Sequence, residues 1–289
     1  MEPEMVADYA CEVGEGPLWH PMEKRLYWAD IPAGRLFRYD PATGRHEQFY
    51  EGDVVGGFTI QADGSLLLFM ERGHIAIWRD GRLTDVVTEL PGEERLRFND
   101  VIADPSGRVF CGTLAMDEED DPDLKGRLYR LDTDGSVTKV LDGVGISNGM
   151  GFTLDRKRMY FTDTPVGIDI FDYDEATGEI SGRKPFVRAA PDSGSPDGMT
   201  VDADGNVWSA RWGGYAVFGY NPRGEEIRKI EFPTNAVSSV TIGGDDYTDM
   251  YATTAMGNDR SANGPLAGAL FRMRAGIKGK PEFLSRVGL

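Results

Sequence analysis

Cysteine, histidine, basic charge and long apolar runs are all scarce in this 289-residue chain, and each scarcity removes a class of chemistry. The two cysteines, Cys11 and Cys111, lie 100 residues apart with no CxxC spacing. Neither a disulfide framework nor a thiolate zinc site is indicated, and both read as small buried apolar residues. The three histidines, His20, His46 and His74, all precede residue 75 and fit no HExxH-type pattern. Serine–histidine or three-histidine zinc catalysis would have to draw its imidazole from that short stretch. Against 48 Asp plus Glu stand 31 Lys plus Arg, a formal net charge of -17. Nucleic acid and anionic membrane surfaces are therefore excluded as expected partners, because both are bound mainly by cationic side chains. The longest strongly apolar run, Ser65 to Met70, is far below the roughly 20 residues that span a bilayer. The opening MEPEMVADYACEVGEG has no cationic segment leading into an apolar one. The expectation is a soluble, cytoplasmic protein.

What the chain does have is a repeat. Hydrophobic residues make up 40% of it and aromatics 10%, enough for a real core. Six times a small or polar turn leads into an apolar strand, a hairpin of D-x-x-G type and a second strand. The copies begin at Gly16 (GPLWHPMEKRLYWAD), Gly56 (GGFTIQADGSLLLFM), Phe98 (FNDVIADPSGRVFCGTL), Ser147 (SNGMGFTLDRKRMYFTDT), Ser195 (SPDGMTVDADGNVWSARW) and Val237 (VSSVTIGGDDYTDMYATT). Equivalent positions Gly16, Gly57, Asp100, Gly149, Gly198 and Ser239 are spaced by 41 to 49 residues, the period of a four-stranded propeller blade. Each copy is followed by a further strand pair, such as LFRYDPATGRHEQFY or LYRLDTDGSVTKVL, with the two-residue alternation of a half-buried hairpin. The sixth pair is ALFRMRAGIKGKPEFL. The prediction is an all-β, six-bladed β-propeller forming one domain over residues 1–289. Either Met5 to Cys11 or Phe283 to Leu289 should pair across the closure and protect the sheet edges.

In each copy the opening residues stand just before the innermost strand, so six such turns are expected at one mouth of the channel. They are Glu15 within Gly14-Glu15-Gly16, then Gly56-Gly57, Asn99-Asp100, Asn148-Gly149, Asp197-Gly198 and Ser238-Ser239. An acidic or amide residue beside glycine is ordinary turn chemistry at any one of these places. Four such residues at the same phase are different, because carboxylates meeting near an axis repel unless a cation neutralises them. An oxygen-only ligand set suits a hard divalent cation such as Ca2+, Mg2+ or Mn2+.

GEGPLW at Gly14, RFND at Arg97, SNGMGFTLD at Ser147, YFTDT at Tyr160 and SPDGMTVDADGNVWSARWGG at Ser195 together resemble the SMP-30/gluconolactonase, regucalcin-like family across essentially the whole chain. The resemblance implies a six-bladed propeller with one divalent metal at the channel, Ca2+ first, with Zn2+, Mg2+, Mn2+ or Fe2+ as alternatives. It also implies hydrolysis of an aldono-1,4- or 1,5-lactone to the aldonic acid. Carried over by motif, the metal ligands are Glu15, Asn148 and Asp197, and Arg97 and Asn99 are substrate-binding. Asp117 falls where some members place an acidic residue that contacts the sugar. With this ligand set the metal would polarise the lactone carbonyl, Arg97 and Asn99 would donate to sugar hydroxyls or the developing oxyanion, and Asp197 is the first candidate for general base, with Asp100 or Asp117 as alternatives. Other ester or phosphotriester hydrolysis on the same scaffold, or a calcium-binding module without turnover, are the competing functions. The expected partner is a small sugar lactone, and the expected state a monomer or small homo-oligomer. Trp19, Trp28, Trp78 and Trp208 read as core between blades, and Trp212 as core or as a pocket wall.

Overall fold

Turn chemistry and strand alternation together account for the architecture of the chain, taken from a computed structural model that describes residues 2–116 and 121–289. A first strand, β1 (Glu4–Asp8), precedes the repeats. The first blade is β2 (Gly14–His20), β3 (Arg25–Asp30), β4 (Arg35–Asp40) and β5 (Arg45–Glu51). The second is β6 (Val55–Ile60), β7 (Leu66–Met70), β8 (Ile75–Arg79) and β9 (Arg82–Val87), and the third β10 (Leu96–Ala103), β11 (Val109–Ala115), β12 (Gly126–Leu131) and β13 (Val137–Val144). The fourth comprises β14 (Ser147–Phe152), β15 (Arg158–Asp163), β16 (Gly167–Tyr173) and β17 (Ile180–Val187). In the fifth are β18 (Ser195–Val201), β19 (Val207–Trp212), β20 (Ala216–Tyr220) and β21 (Glu226–Glu231). The sixth holds β22 (Ala236–Gly243), β23 (Asp249–Ala255) and β24 (Ala269–Met273), with a four-residue helix α1 (Arg260–Asn263) in the loop before its last strand. Six separate four-stranded sheets make the chain a six-bladed β-propeller by strand topology.

The sixth blade departs from the expected pattern. Its order is β1-β24-β23-β22, so the fourth strand comes from the N-terminus, and Met5 lies opposite Phe271. Of the two segments expected to close the edge, the N-terminal one does so. The second strand anticipated in GIKGKPEFL does not form. Instead the C-terminal segment lays Ser285 against Gln61 as an isolated parallel bridge in the second blade.

The hairpin residue at the tip of the inner strand pair caps its own turn. In the third blade Asp104 accepts from the amides of Ser106 and Arg108 at 2.8 and 3.0 Å, and from the Arg108 Nε at 2.6 Å. In the fifth, Asp202 accepts from the Asn206 amide at 2.8 Å and from the Trp208 indole at 2.9 Å. These carboxylates are thereby satisfied locally, which is the ordinary turn role expected of them.

By its contacts the chain divides into two compact units, Met1–Gly52 with Phe186–Pro281, and Asp53–Pro185 with Glu282–Leu289. In each, the core lies between neighbouring blades. In the first unit Trp19, Trp28, Phe37 and Tyr251 form one cluster, and Trp208, Phe232, Val240 and Phe271 another. In the second, Leu67, Phe69, Phe98 and Cys111 pack together, as do Phe110, Met150, Phe152 and Phe161. Each such side chain removed from water contributes roughly 1.5–3 kcal/mol. Both cysteines are buried and free. Burial raises the Cys11 thiol to about 12 and that of Cys111 well above its usual range, so both stay protonated and serve as small apolar residues. Among the described residues no helix is long and apolar enough to cross a membrane.

Candidate active site

The six innermost strands share one irregularity. Pairing with the second strand slips between Glu15 and Leu18, Val55 and Gly57, Phe98 and Val101, Asn148 and Met150, Pro196 and Met199, and Val237 and Ser239. A bulge therefore recurs at the phase where the sequence places its carboxylates and carboxamides. Bulges release residues from the ladder and re-aim side chains, and they gather beside active sites for that reason. Glu15, Asn99, Asn148 and Asp197 are all buried, although residues of these types are seldom fully buried without partners.

In the unit formed by the first, fifth and sixth blades, Ser238 organises the neighbourhood of Glu15. Its hydroxyl donates to the carbonyl oxygen of Gly14 and lies 3.1 Å from Thr253 Oγ1. Glu15 itself accepts from the Gly16 amide at 3.0 Å. On the other side of the same strand a Cβ built on Gly198 would fall 2.0 Å from Ser239 Oγ, so β18 and β22 meet at their bulges. Glu15 and Asp197 thus flank Ser238-Ser239.

In the unit formed by the second, third and fourth blades, a hydrogen-bonded chain fixes the carboxamides. Arg97 Nη1 donates to Asn99 Oδ1 at 2.8 Å and to the Phe98 carbonyl at 2.9 Å. A guanidinium only donates, so the Asn99 amide must present its oxygen to Arg97 and its nitrogen to the other side. That nitrogen donates to the Ser147 carbonyl at 2.8 Å and to Asn148 Oδ1 at 2.9 Å. Asn148 Nδ2 in turn donates to Thr164 Oγ1 at 2.9 Å. Both N–H groups of Asn99 are thus used inside the chain. Through these bonds Asn99 lies between Arg97 and Asn148 and fixes which atom of the Asn148 amide faces it. The Asn148 oxygen keeps a lone pair beyond the one facing Asn99. Beside them Asp100 is half-buried, and desolvation raises its pKa while the Arg97 guanidinium pulls it down.

Residues 13–256 match the SMP-30/Gluconolactonase/LRE-like region. The chain belongs to this family. It is 51% identical over 294 residues to pentonolactonase XacC of Haloferax volcanii, covering 98% of each chain. To regucalcin of Homo sapiens it is 32% identical over 287 residues, covering 96% of this chain and 95% of the relative. The crystal structure of a calcium-binding protein, regucalcin, from Agrobacterium tumefaciens superposes with a TM-score of 0.91 at 27% identity, covering 99% of this chain and 98% of that one.

Within this member of the SMP-30/gluconolactonase family, the structure brings Arg97, Asn99 and Asn148 into one network and sets Glu15 and Asp197 on strands either side of β22. Asp117 lies outside the described residues. Sequence reasoning missed two orienting groups, Thr164 and Ser238, although Thr164 stands in the YFTDT motif and Ser238 at a repeat entry. It also missed why the second blade has glycines where its neighbours have acids or amides. A Cβ on Gly56 would fall 1.8 Å from the Phe98 carbonyl oxygen, and one on Gly57 2.6 Å from that of Asn99. The glycines are empty so that β6 can approach the strand that carries Asn99. The histidines are engaged away from the bulges: His20 Nδ1 accepts from the Glu23 amide at 3.2 Å, and His46 and His74 lie 2.9 Å from the Tyr9 hydroxyl and Asp85.

Proposed function

We propose that the chain is a divalent-metal-dependent sugar lactonase that opens an aldonolactone to the aldonic acid. What supports this most is the set of buried oxygen donors Glu15, Asn148 and Asp197 at equivalent bulges, in a chain whose family relatives include a pentonolactonase. Among the described residues no three His, Cys, Asp or Glu side chains group as a metal site, and the proposed set counts the Asn148 carboxamide oxygen beside two carboxylates. Two carboxylates plus an amide oxygen suit a hard cation, and similarity to a structure described as a calcium-binding regucalcin supports putting Ca2+ ahead of Zn2+, Mg2+, Mn2+ and Fe2+. When bound, the cation would supply Lewis-acid polarisation of the lactone carbonyl.

The chain's own residues do the rest. Asp197 accepts a proton from the attacking water at a carboxylate oxygen, the water oxygen bonds to the carbonyl carbon, the ring C–O bond breaks, and the ring oxygen takes that proton back from Asp197 and leaves as a hydroxyl. Arg97 donates to sugar hydroxyls. Asn99 and Thr164 hold the Asn148 amide with its oxygen, rather than its nitrogen, toward Asn99, and a lone pair of that oxygen would be available to a cation. A pentono-1,4-lactone panel with a pH indicator tests the activity directly. Acid release that a chelator abolishes and added cation restores is the expected result, and no release from any sugar lactone with any of these metals removes the reading.

Two further outcomes follow. Arg97→Ala should raise KM more than it lowers kcat, since contacts to hydroxyls that do not react are equal in ground and transition states. An equal loss in kcat alone would instead place Arg97 against the reacting carbonyl. Chelation should lower the melting midpoint by a few degrees, because a cation at 100 times its Kd adds about 2.7 kcal/mol to the native state. An unchanged midpoint after verified metal removal would leave the bulge residues as turn chemistry.

A further inference from the structure

We infer that Trp212, which ends β19, and Tyr215, on the turn that leads into β20, form an aromatic platform on which the ring of the sugar lactone stacks. The inference rests on the lactonase reading and assigns part of its substrate recognition. The chain holds 5 Trp, 14 Phe and 11 Tyr. Among the large apolar side chains that the described residues leave exposed, the aromatic ones are Trp212 and Tyr215, 39% and 47% accessible. Trp19, Trp28 and Trp208 are buried. An exposed pair of rings on one turn stabilises no core, and such patches mark binding surfaces.

The backbone beneath them is held firmly in a conformation that costs energy. Tyr215 sits at φ +53°, a left-handed conformation unfavourable for a bulky non-glycine residue. Both its main-chain groups are tied: its amide donates to the Asn235 carbonyl at 3.1 Å, and its carbonyl accepts from the Phe232 amide at 2.8 Å. Asn235 is anchored in turn, its amide donating to the Asn263 carbonyl at 2.8 Å and its side-chain nitrogen to Asn263 Oδ1 at 3.0 Å. On the other flank, a Cβ on Gly194 would fall 2.5 Å from the Gly214 nitrogen, and one on Gly214 2.5 Å from the Ser193 carbonyl. The loop before β18 therefore lies directly on the turn. Strain that the surroundings over-determine, under side chains that the fold does not need, points to a functional use of those side chains.

Position supplies the occupant. Trp212 lies opposite Ser195, two residues before Asp197 on the innermost strand of the same blade. Regular antiparallel spacing, about 5 Å across and about 3.4 Å per residue along, would set residues in this relation about 8 Å apart, within the span of one sugar ring and an indole side chain. A lactone ring has faces of C–H bonds polarised by the attached oxygens, and these are drawn to the negative face of an indole or phenol ring.

Kinetics on the whole chain with D-xylono-1,4-lactone test it. Trp212→Ala should raise KM about tenfold with kcat changed less than threefold, while Trp212→Phe keeps KM within about threefold of wild type. Tyr215→Gly removes the ring but suits φ +53° better, so it should raise KM while leaving the melting midpoint equal or higher. That opposition separates recognition from structural damage. Unchanged KM in both Trp212→Ala and Tyr215→Gly overturns the platform, as does equal loss in Trp212→Phe. A change of oligomeric mass with KM unaltered would assign the rings to a contact between copies and overturn it too. If the wild type opens no lactone, the lactonase reading fails by itself, and titration with D-xylose decides the platform. Fluorescence quenching that Trp212→Phe abolishes supports it, and its absence overturns it.

Discussion

Asp197→Asn is expected to lower kcat on a sugar lactone by a factor of about 100 or more at saturating cation, the range that a positioned general base supplies. The substitution keeps the size of the side chain and one ligand oxygen, and removes both the charge that attracts a cation and the basicity that takes a proton from water. Asp197 is 4% exposed at the bulge of β18, beside Gly198, whose missing side chain lets β22 approach. The neutral amide therefore fits the same space, and a fall in kcat reports chemistry rather than repacking. The companion substitution is Asn148→Asp. It keeps a ligand oxygen, adds a second and adds charge, so cation affinity should change more than kcat. It also removes the Nδ2 donor to Thr164, which costs about 1 kcal/mol of local order. Elemental analysis of each variant fixes metal occupancy. Near wild-type kcat in fully loaded Asp197→Asn would move the base to Asp100 or Asp117.

The second large effect is expected from Gly56→Ala, the addition of a single methyl group. Gly56 does not occupy the left-handed region, so its backbone would accept alanine, and the whole effect is contact. The added carbon would lie 1.8 Å from the Phe98 carbonyl oxygen, 2.4 Å from its carbon and 3.1 Å from the Asn99 nitrogen. All three are main-chain atoms, which cannot rotate aside as a side chain does. Overpacking ordinarily costs 1–3 kcal/mol, and here β10 itself must retreat, so a loss of about 3 kcal/mol or more is expected from urea unfolding at constant slope. Because the displaced segment carries Asn99, which holds Asn148, cation affinity should fall as well. Gly44→Ala is the control: at φ +71° with nothing within 4 Å of the new carbon, it should cost only about 1 kcal/mol of backbone strain. A Gly56→Ala loss no larger than that of Gly44→Ala would mean that β6 and β10 separate freely.

The number of blades, the inner hairpin of each blade and the phase of Glu15, Asn99, Asn148 and Asp197 were determined by sequence alone. These depend on local rules. A strand with one buried face must alternate every two residues, a tight turn needs Asp or Gly where the chain reverses, and a repeat carries any residue to the same place in each blade. The burial of Cys11, Cys111, Trp19, Trp28 and Trp208 was equally legible, because nothing else in a blade can absorb such side chains.

Tertiary structure decided what depends on neighbours remote in the chain. GIKGKPEFL and EMVAD could each have supplied the fourth strand of the sixth blade. The choice of Glu4–Asp8 is a competition between two segments for the free edge of β24, and neither segment's own pattern records it. The emptiness at Gly56-Gly57 reads as ordinary turn glycine until β10 is found against it. The direction of the Asn99 amide cannot be read from RFND, since asparagine offers an oxygen and a nitrogen of almost equal shape. Only the guanidinium of Arg97 on one side and the Asn148 oxygen on the other settle which faces where. That assignment sets Asn99 between Arg97 and Asn148, an arrangement no local rule in RFND records.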